Sequence, residues 1–274
     1  MSILQAVVLG IVQGITEFLP ISSTAHLRIV PALLGWEDPG AAYSAVIQLG
    51  TVAAVLTYFR HDLVKLTAAF VDGLKRRKPF ETEDSRLAWF VGLGTLPIVV
   101  CGFAFKNFIK HELRSLWVIS ASMIALAVVL LAVERLAKHQ REIKDLQLKD
   151  ALIIGGWQAL ALIPGSSRSG TTITGGLWQG MKRADAARYS FLLSIPSTTL
   201  AGLYELYKDV IKEPARPPWL LIAIGTGVSF VVGMGAIAGL LRFLRTRSML
   251  VFVGYRLALG LLLIWLLHRG TLQP

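Results

Sequence analysis

The sequence predicts an all-α integral membrane protein with six transmembrane helices, two re-entrant helical hairpins and an inverted-topology internal repeat. Three observations carry that expectation. Of the 274 residues, 54% are hydrophobic and only 16% charged, against roughly 25% charged in an average soluble protein; the mean hydropathy is +0.60. Six stretches, at about 41–60, 86–106, 114–135, 184–206, 218–241 and 248–267, are long enough for a bilayer crossing, which needs about 20 apolar residues. Four shorter amphipathic pieces, at about 2–17, 22–34, 149–163 and 168–180, form two pairs, each broken at its middle by proline and small polar residues. Such a composition excludes a disordered or fibrous chain and argues against a water-soluble enzyme.

Taken in order, Met1 to Leu19 lacks a basic n-region and carries Gln5, Gln13 and Glu17, so it reads neither as a signal peptide nor as a span. It opens the first hairpin, 2–34, which breaks at Phe18-Leu19-Pro20-Ile21-Ser22-Ser23. The second hairpin, 149–180, breaks at Ile163-Pro164-Gly165-Ser166-Ser167. Irregular backbone at membrane depth survives only against protein or a water-filled cavity, so both breaks should line a site. Residues 61–85 are expected as a loop. Pro97 and Pro196 are expected to kink spans. Gln48, Gln158 and Gln179 are expected as hydrogen-bonding glue between helices, and Gly235-Ala236-Ile237-Ala238-Gly239 as a small-residue packing face.

The net charge of +11 sits in short loops between apolar runs, which points to topology and anionic lipid and away from nucleic acid. If each hairpin returns to its own side, eighteen Lys and Arg share the side of the 61–85 loop and eight face the other. The richer side is then cytoplasmic, with both termini outside. One cysteine, Cys101, excludes a disulfide framework and a cysteine-based zinc site.

The hairpins read as copies. Gln13 to Pro20 followed by Ser22-Ser23 parallels Gln158 to Pro164 followed by Ser166-Ser167, and Gly94-Thr95 parallels Gly225-Thr226. The repeats run 1–140 and 148–274. Each holds one hairpin and three spans, and an odd number of crossings inverts the second copy. In such folds the site lies near the midplane at the repeat interface, framed by half-helix ends whose N-termini suit anions.

The first tip places Gln13 and Glu17 on one helical face. Ser22 or Ser23 can cap the second half-helix, with Thr24 beside them and His26 one turn in. A carboxylate, hydroxyls and an imidazole could converge there; the plain alternative is a helix cap and a packed histidine. A carboxylate inside a membrane is costly, so Glu17 reads as functional. The second tip offers Gly165, which permits close backbone approach, then Ser166, Ser167, Arg168, Ser169 and Thr172. A guanidinium forks onto two phosphate oxygens, so this is an anion site. Arg256 interrupts the last span and is expected to pair with a carboxylate or carbonyls; functional and structural roles stay open for it.

The pattern Gln13-x-x-x-Glu17, Pro20-x-Ser22-Ser23-Thr24-x-His26 and Pro164-Gly165-Ser166-Ser167-Arg168-Ser169-Gly170-x-Thr172 resembles the bacitracin-resistance type of undecaprenyl-diphosphate phosphatase over essentially the whole chain. The resemblance implies an enzyme of the bacterial plasma membrane, its site facing outward. It would hydrolyse undecaprenyl diphosphate to undecaprenyl phosphate and inorganic phosphate, recycle the carrier for cell-wall polymers and confer bacitracin resistance. It implies a divalent cation, Mg2+ or Ca2+, with Glu17 as metal ligand. Many members carry Glu at the position of Gln13, so one anionic ligand is missing here and a cation would lean on the diphosphate oxygens. The roles implied are Arg168 and the N–H groups after Gly165 on phosphate, Ser23 as nucleophile or positioner of water, and His26 as general base, leaving-group acid or itself the nucleophile. Gln13, Ser22, Thr24 and Arg256 would support them. The partners expected are an isoprenoid diphosphate lipid and the bilayer, with a homodimer left open. The paired-Arg, Ser-Gly-His and His-x-x-x-Asp signatures of another lipid-phosphatase class are absent. Inverted repeats also suit a transporter or flippase of a phosphorylated isoprenoid lipid, and an ion channel fits least.

Overall fold

A computed structural model describes residues 1–105, 115–212 and 218–272. Lys106, Lys110, Arg114 and Arg216, four of the eight basic residues assigned to the outer side, lie outside them. Within the described residues the chain is helical and forms no strand. The helices are α1 (Ile3–Thr16), α2 (Ser23–Leu34), α3 (Gly40–Tyr58), α4 (Arg60–Lys75), α5 (Glu83–Ala104), α6 (Leu116–Leu136), α7 (Leu148–Ala159), α8 (Arg168–Trp178), α9 (Arg183–Glu205), α10 (Trp219–Phe243) and α11 (Leu250–His268).

Four of these, α5, α6, α10 and α11, are long and apolar enough to cross a membrane. Helix α5, with 22 residues, reaches about 33 Å at 1.5 Å per residue. Helices α3 and α9 occupy the other two expected spans but do not join the four. Helix α9 carries Arg183, Asp185 and Arg188 in its first turns. Leu96, Val100, Phe103, Val128, Val231, Leu261 and Trp265 stand exposed on the four long helices. In water so large an apolar surface would drive association, whereas a bilayer covers it. The chain is a multi-pass membrane protein.

The four short helices fall where the broken pairs were expected. Helix α1 starts from a Ser2/Gln5 capping box, and α2 and α8 start from the side chains of Ser22 and Ser167. With 14, 12, 12 and 11 residues, α1, α2, α7 and α8 reach only about 16–21 Å, short of the roughly 30 Å hydrocarbon core.

Two expectations fail. Residues 60–75 are a helix, not a loop: Leu63, Leu66 and Phe70 recur at helical spacing, Leu66 is buried, and the Phe70 ring lies 5.0 Å from that of Trp89 on α5. The expected small-residue face at Gly235 and Gly239 has nothing within 4 Å. The packed face of α10 is instead Gly225, Ser229, Gly233 and Ile237. Positions two apart on a helix point about 200° apart, so Gly235 and Gly239 lie opposite this packed face.

Packing crosses between the two halves of the chain. Helix α1 lies on α10 where Gly10 meets Gly225; a Cβ on Gly10 would stand 2.7 Å from the Gly225 carbonyl oxygen. Helix α7 lies on α5 where Gly155 meets Gly94; a Cβ there would stand 2.3 Å from the Gly94 oxygen. Glycine–glycine contact at each crossing brings a short helix against a span of the other half.

Candidate active site

The short helices leave two turns facing each other, residues 17–22 and 160–167. Ser22 (φ 76°) and Ser167 (φ 69°) both hold a left-handed backbone that a side-chain-bearing residue rarely adopts. Such strain costs about 1–3 kcal/mol and persists only where the surroundings over-determine it. Each serine caps its helix, Ser22 Oγ accepting from the Ala25 N–H at 3.4 Å and Ser167 Oγ from the Gly170 N–H at 3.1 Å. Ser22 is therefore the counterpart of Ser167, and Ser23 that of Arg168. This shifts by one residue the alignment of Ser22-Ser23 with Ser166-Ser167 drawn from the sequence. Two steps separate Pro20 from its cap and three separate Pro164 from its own, Gly165 (φ 89°) absorbing the extra residue.

Glu17 is the hub of the first turn. It is 6% exposed, and four donors converge on it. One oxygen accepts from Gln13 Nε2 at 3.1 Å and from Ser23 Oγ at 2.6 Å. The other accepts from Gln48 Nε2 at 3.0 Å and forms an ion pair with Arg168 Nη2. Arg168 also donates to the Ser194 carbonyl at 3.3 Å. Ser169 Oγ ties the turns together by donating to the Leu19 carbonyl at 3.0 Å.

A cavity of about 200 Å³ opens here. Glu17, Ser22, Ser23, Thr24, Ser167 and Arg168 form its polar end, with Gln48, Ser197 and Thr198. Ile98, Ala161 and Ala201 form its apolar end. The first N–H groups of α2 and α8 have no intrahelical carbonyl to bond, so two positive helix ends meet one pocket. The arrangement can hold an anionic head and let an apolar tail leave sideways.

Other expected residues stand elsewhere. His26 does not line the cavity. Its ring bonds the Ser22 carbonyl oxygen through Nδ1 at 2.7 Å and the Tyr255 hydroxyl through Nε2 at 2.6 Å. The imagined meeting of imidazole and carboxylate does not occur, because helical phase turns the ring toward α11. Gly165 is approached by protein: a Cβ there would stand 2.5 Å from the Ile119 carbonyl oxygen of α6. Thr172 Oγ1 faces Ser190 Oγ at 2.5 Å, fastening α8 to α9, and Ser166 is fully buried. Arg256, 1% exposed, meets carbonyls and no carboxylate. It donates to Met123 at 3.2 Å, Pro20 at 3.3 Å, Ser166 at 3.0 Å and Gly165 at 3.2 Å, bracing both turns from α11. Gln48, read from the sequence only as glue, is part of the site; so are Ser194, Ser197 and Thr198, whose polar run beside Pro196 inside a long helix was the available signal.

Among the described residues no three His, Cys, Asp or Glu cluster as metal ligands. Glu17 is the one carboxylate on the cavity, and donors already occupy both its oxygens. The side chains present do not make a resident metal centre.

The family model described as bacitracin resistance protein BacA matches residues 6–262. An undecaprenyl-diphosphatase of Myxococcus xanthus is 65% identical over 274 residues, covering all of this chain and 92% of its own. One of Chloroherpeton thalassium is 53% identical over 281 residues, covering all of this chain and 99% of its own. One of Chlorobaculum parvum is 50% identical over 283 residues and covers both chains completely.

Proposed function

The chain belongs to the BacA bacitracin-resistance family, and from that premise we propose that it hydrolyses undecaprenyl diphosphate to undecaprenyl phosphate and inorganic phosphate. The transporter reading falls away, since full-length relatives at 50% identity and above carry the diphosphatase name. One observation carries the reading: a serine hydroxyl bonded to a buried carboxylate whose other oxygen holds an arginine, beside two helix N-termini.

Phosphoryl transfer is mostly positioning and charge stabilisation. Arg168 and the N–H groups opening α2 and α8 receive the terminal phosphate. Ser23 Oγ attacks its phosphorus, and Glu17, 2.6 Å away, takes the hydroxyl proton. The phosphoanhydride bond breaks and undecaprenyl phosphate leaves with that proton; water then attacks the phosphoserine, gives a proton to Glu17 that passes back to Ser23 Oγ, and inorganic phosphate is released. Gln13 and Gln48 hold Glu17 in place. The isoprenoid leaves past Ile98, Ala161 and Ala201. A divalent cation, Mg2+ or Ca2+, belongs to this proposal as a counter-ion carried in on the diphosphate, with Glu17 the side chain in reach; no step above depends on it.

The proposal includes the finer architecture: 1–140 and 148–274 as inverted repeats, α1–α2 and α7–α8 as re-entrant hairpins, and α3 and α9 completing six crossings in the plasma membrane. The matched glycine crossings and paired serine caps support it. The charge count supports termini and site facing outward.

The test is phosphate release from undecaprenyl diphosphate by purified protein, with Arg168→Ala as matched control. Release that the substitution abolishes supports the reading. A folded wild-type protein that releases none, with Mg2+ or Ca2+ supplied, overturns it.

A further inference from the structure

His26 sits one helical turn from Ser23, yet both of its ring nitrogens are engaged away from the cavity. A carbonyl oxygen has only lone pairs, so the 2.7 Å contact with Ser22 requires the proton on Nδ1. In the neutral ring Nε2 then accepts, and the 2.6 Å partner there is the Tyr255 hydroxyl. The two rings are stacked at 12° with centroids 5.6 Å apart, so the contact constrains orientation as well as distance. The chain of bonds runs Tyr255 O–H to His26 Nε2, then His26 Nδ1–H to Ser22 O. It ends on the residue whose left-handed backbone (φ 76°) sets the direction of Ser23.

The equivalent turn explains why such a link is needed. At Ser167 the carbonyl accepts the Thr171 N–H at 2.8 Å, a good helical bond. At Ser22 the matching bond from the His26 N–H is stretched to 3.3 Å. The imidazole makes up the difference in the one turn that carries the serine beside Glu17. Arg256, next to Tyr255 on α11, braces the same turn at Pro20.

We infer that His26 is a positioning residue, neither proton acceptor nor nucleophile, and that Tyr255, which no sequence signal marked, is the second member of a Tyr255–His26–Ser22 link holding Ser23 against Glu17. The inference rests on the diphosphatase reading of the site for its consequence, but the link itself is a matter of protonation and contact.

The experiment compares His26→Ala, His26→Asn, His26→Gln, Tyr255→Phe and the His26→Asn/Tyr255→Phe double variant with wild type in detergent, each confirmed monodisperse. An Asn amide nitrogen can take the place of Nδ1 and still donate to Ser22; a Gln amide reaches toward Tyr255 and leaves Ser22 without its donor. We expect His26→Asn to keep kcat within about fivefold of wild type and His26→Gln to lose about tenfold or more, with KM steady in both, on the scale of one lost buried hydrogen bond. Tyr255→Phe should lower kcat about threefold to tenfold alone and add nothing in the His26→Asn background. Loss in His26→Asn as deep as in His26→Ala would overturn the inference, because a base or nucleophile cannot be replaced by an amide. So would an equal Tyr255→Phe effect in both backgrounds. Nitrogen-15 spectra of the imidazole, assigned by difference against His26→Asn, give a readout independent of turnover. A proton on Nδ1 that is perturbed by Tyr255→Phe supports the link, and a proton on Nε2 in the wild type breaks it. A wild type that shows the Nδ1 proton but releases no phosphate would sink the diphosphatase reading while leaving the link standing.

Discussion

The two turns share a frame and differ in what they carry. Each has a glutamine nine residues before a serine cap, a left-handed cap backbone and a helix of eleven or twelve residues behind it. Gln13 Nε2 donates to Glu17, whereas Gln158, its counterpart, faces no carboxylate; Leu162 stands where the first turn has Glu17. After the cap comes Ser23 in one turn and Arg168 in the other. The proposed nucleophile and the proposed phosphate clamp therefore occupy the same place, one step past the cap, in two matching turns. The two helix ends meet at one cavity, and a few side chains differ between them. The ion pair of Glu17 with Arg168 joins the two turns across 151 residues of sequence.

The comparison breaks first at that ion pair. Arg168→Ala and Glu17→Ala should each reduce phosphate release at least about a hundredfold, the scale of a lost oxyanion donor. Glu17→Gln, which keeps the shape and removes the charge, should match Glu17→Ala in rate while keeping more of the stability. Near-wild-type turnover in any of them would remove the role assigned. Next, Ser23→Ala should exceed Ser22→Ala in lost turnover, since one carries the attacking oxygen and the other caps the helix. Ser22→Ala and Ser167→Ala should instead each lose about 1 kcal/mol of stability, as helix caps do. If Ser22→Ala is the worse for turnover, the nucleophile moves by one residue.

The glycine crossings test the frame alone. Gly10→Ala and Gly155→Ala each press a methyl against a backbone carbonyl and should destabilise by about 1–3 kcal/mol, read as a lowered thermal unfolding midpoint. Equal shifts would sharpen the equivalence of the halves, and a shift in one alone would weaken it. The smallest effect lies in the loop before α7. Hydrogen bonds from Lys182 at 2.5 Å and Lys144 at 3.0 Å hold the half-exposed Glu142 carboxyl down at about 2, from an ordinary 4.5. A folded value below the unfolded one means the contribution is complete above about pH 4.5 and is lost as pH falls through about 2. Wild type and Glu142→Gln should accordingly converge in stability at the acid end, and a difference that grows there would contradict the assignment.

How far the sequence alone reaches follows from the range of its signals. Apolar runs, Pro20, Pro164 and the serine caps act within a turn or two, so the membrane class, the four short helices and both turns were legible. The intramembrane charges Glu17, Arg168 and Arg256 stood out because burying them is costly. The amphipathic helix at 60–75 was hidden by its polar residues, although its apolar spacing was present.

The amino-acid sequence by itself determined where helices start and break and which side chains would be expensive to bury. Only the tertiary structure decided which of them meet. It brought Gln48 and Arg168 together onto one oxygen of Glu17, turned His26 toward Tyr255, and spent Arg256 on four carbonyls. A side chain's partner depends on the rotation and crossing of whole helices. Those are set by close contacts such as Gly10 with Gly225 and Gly155 with Gly94, between residues far apart in the chain.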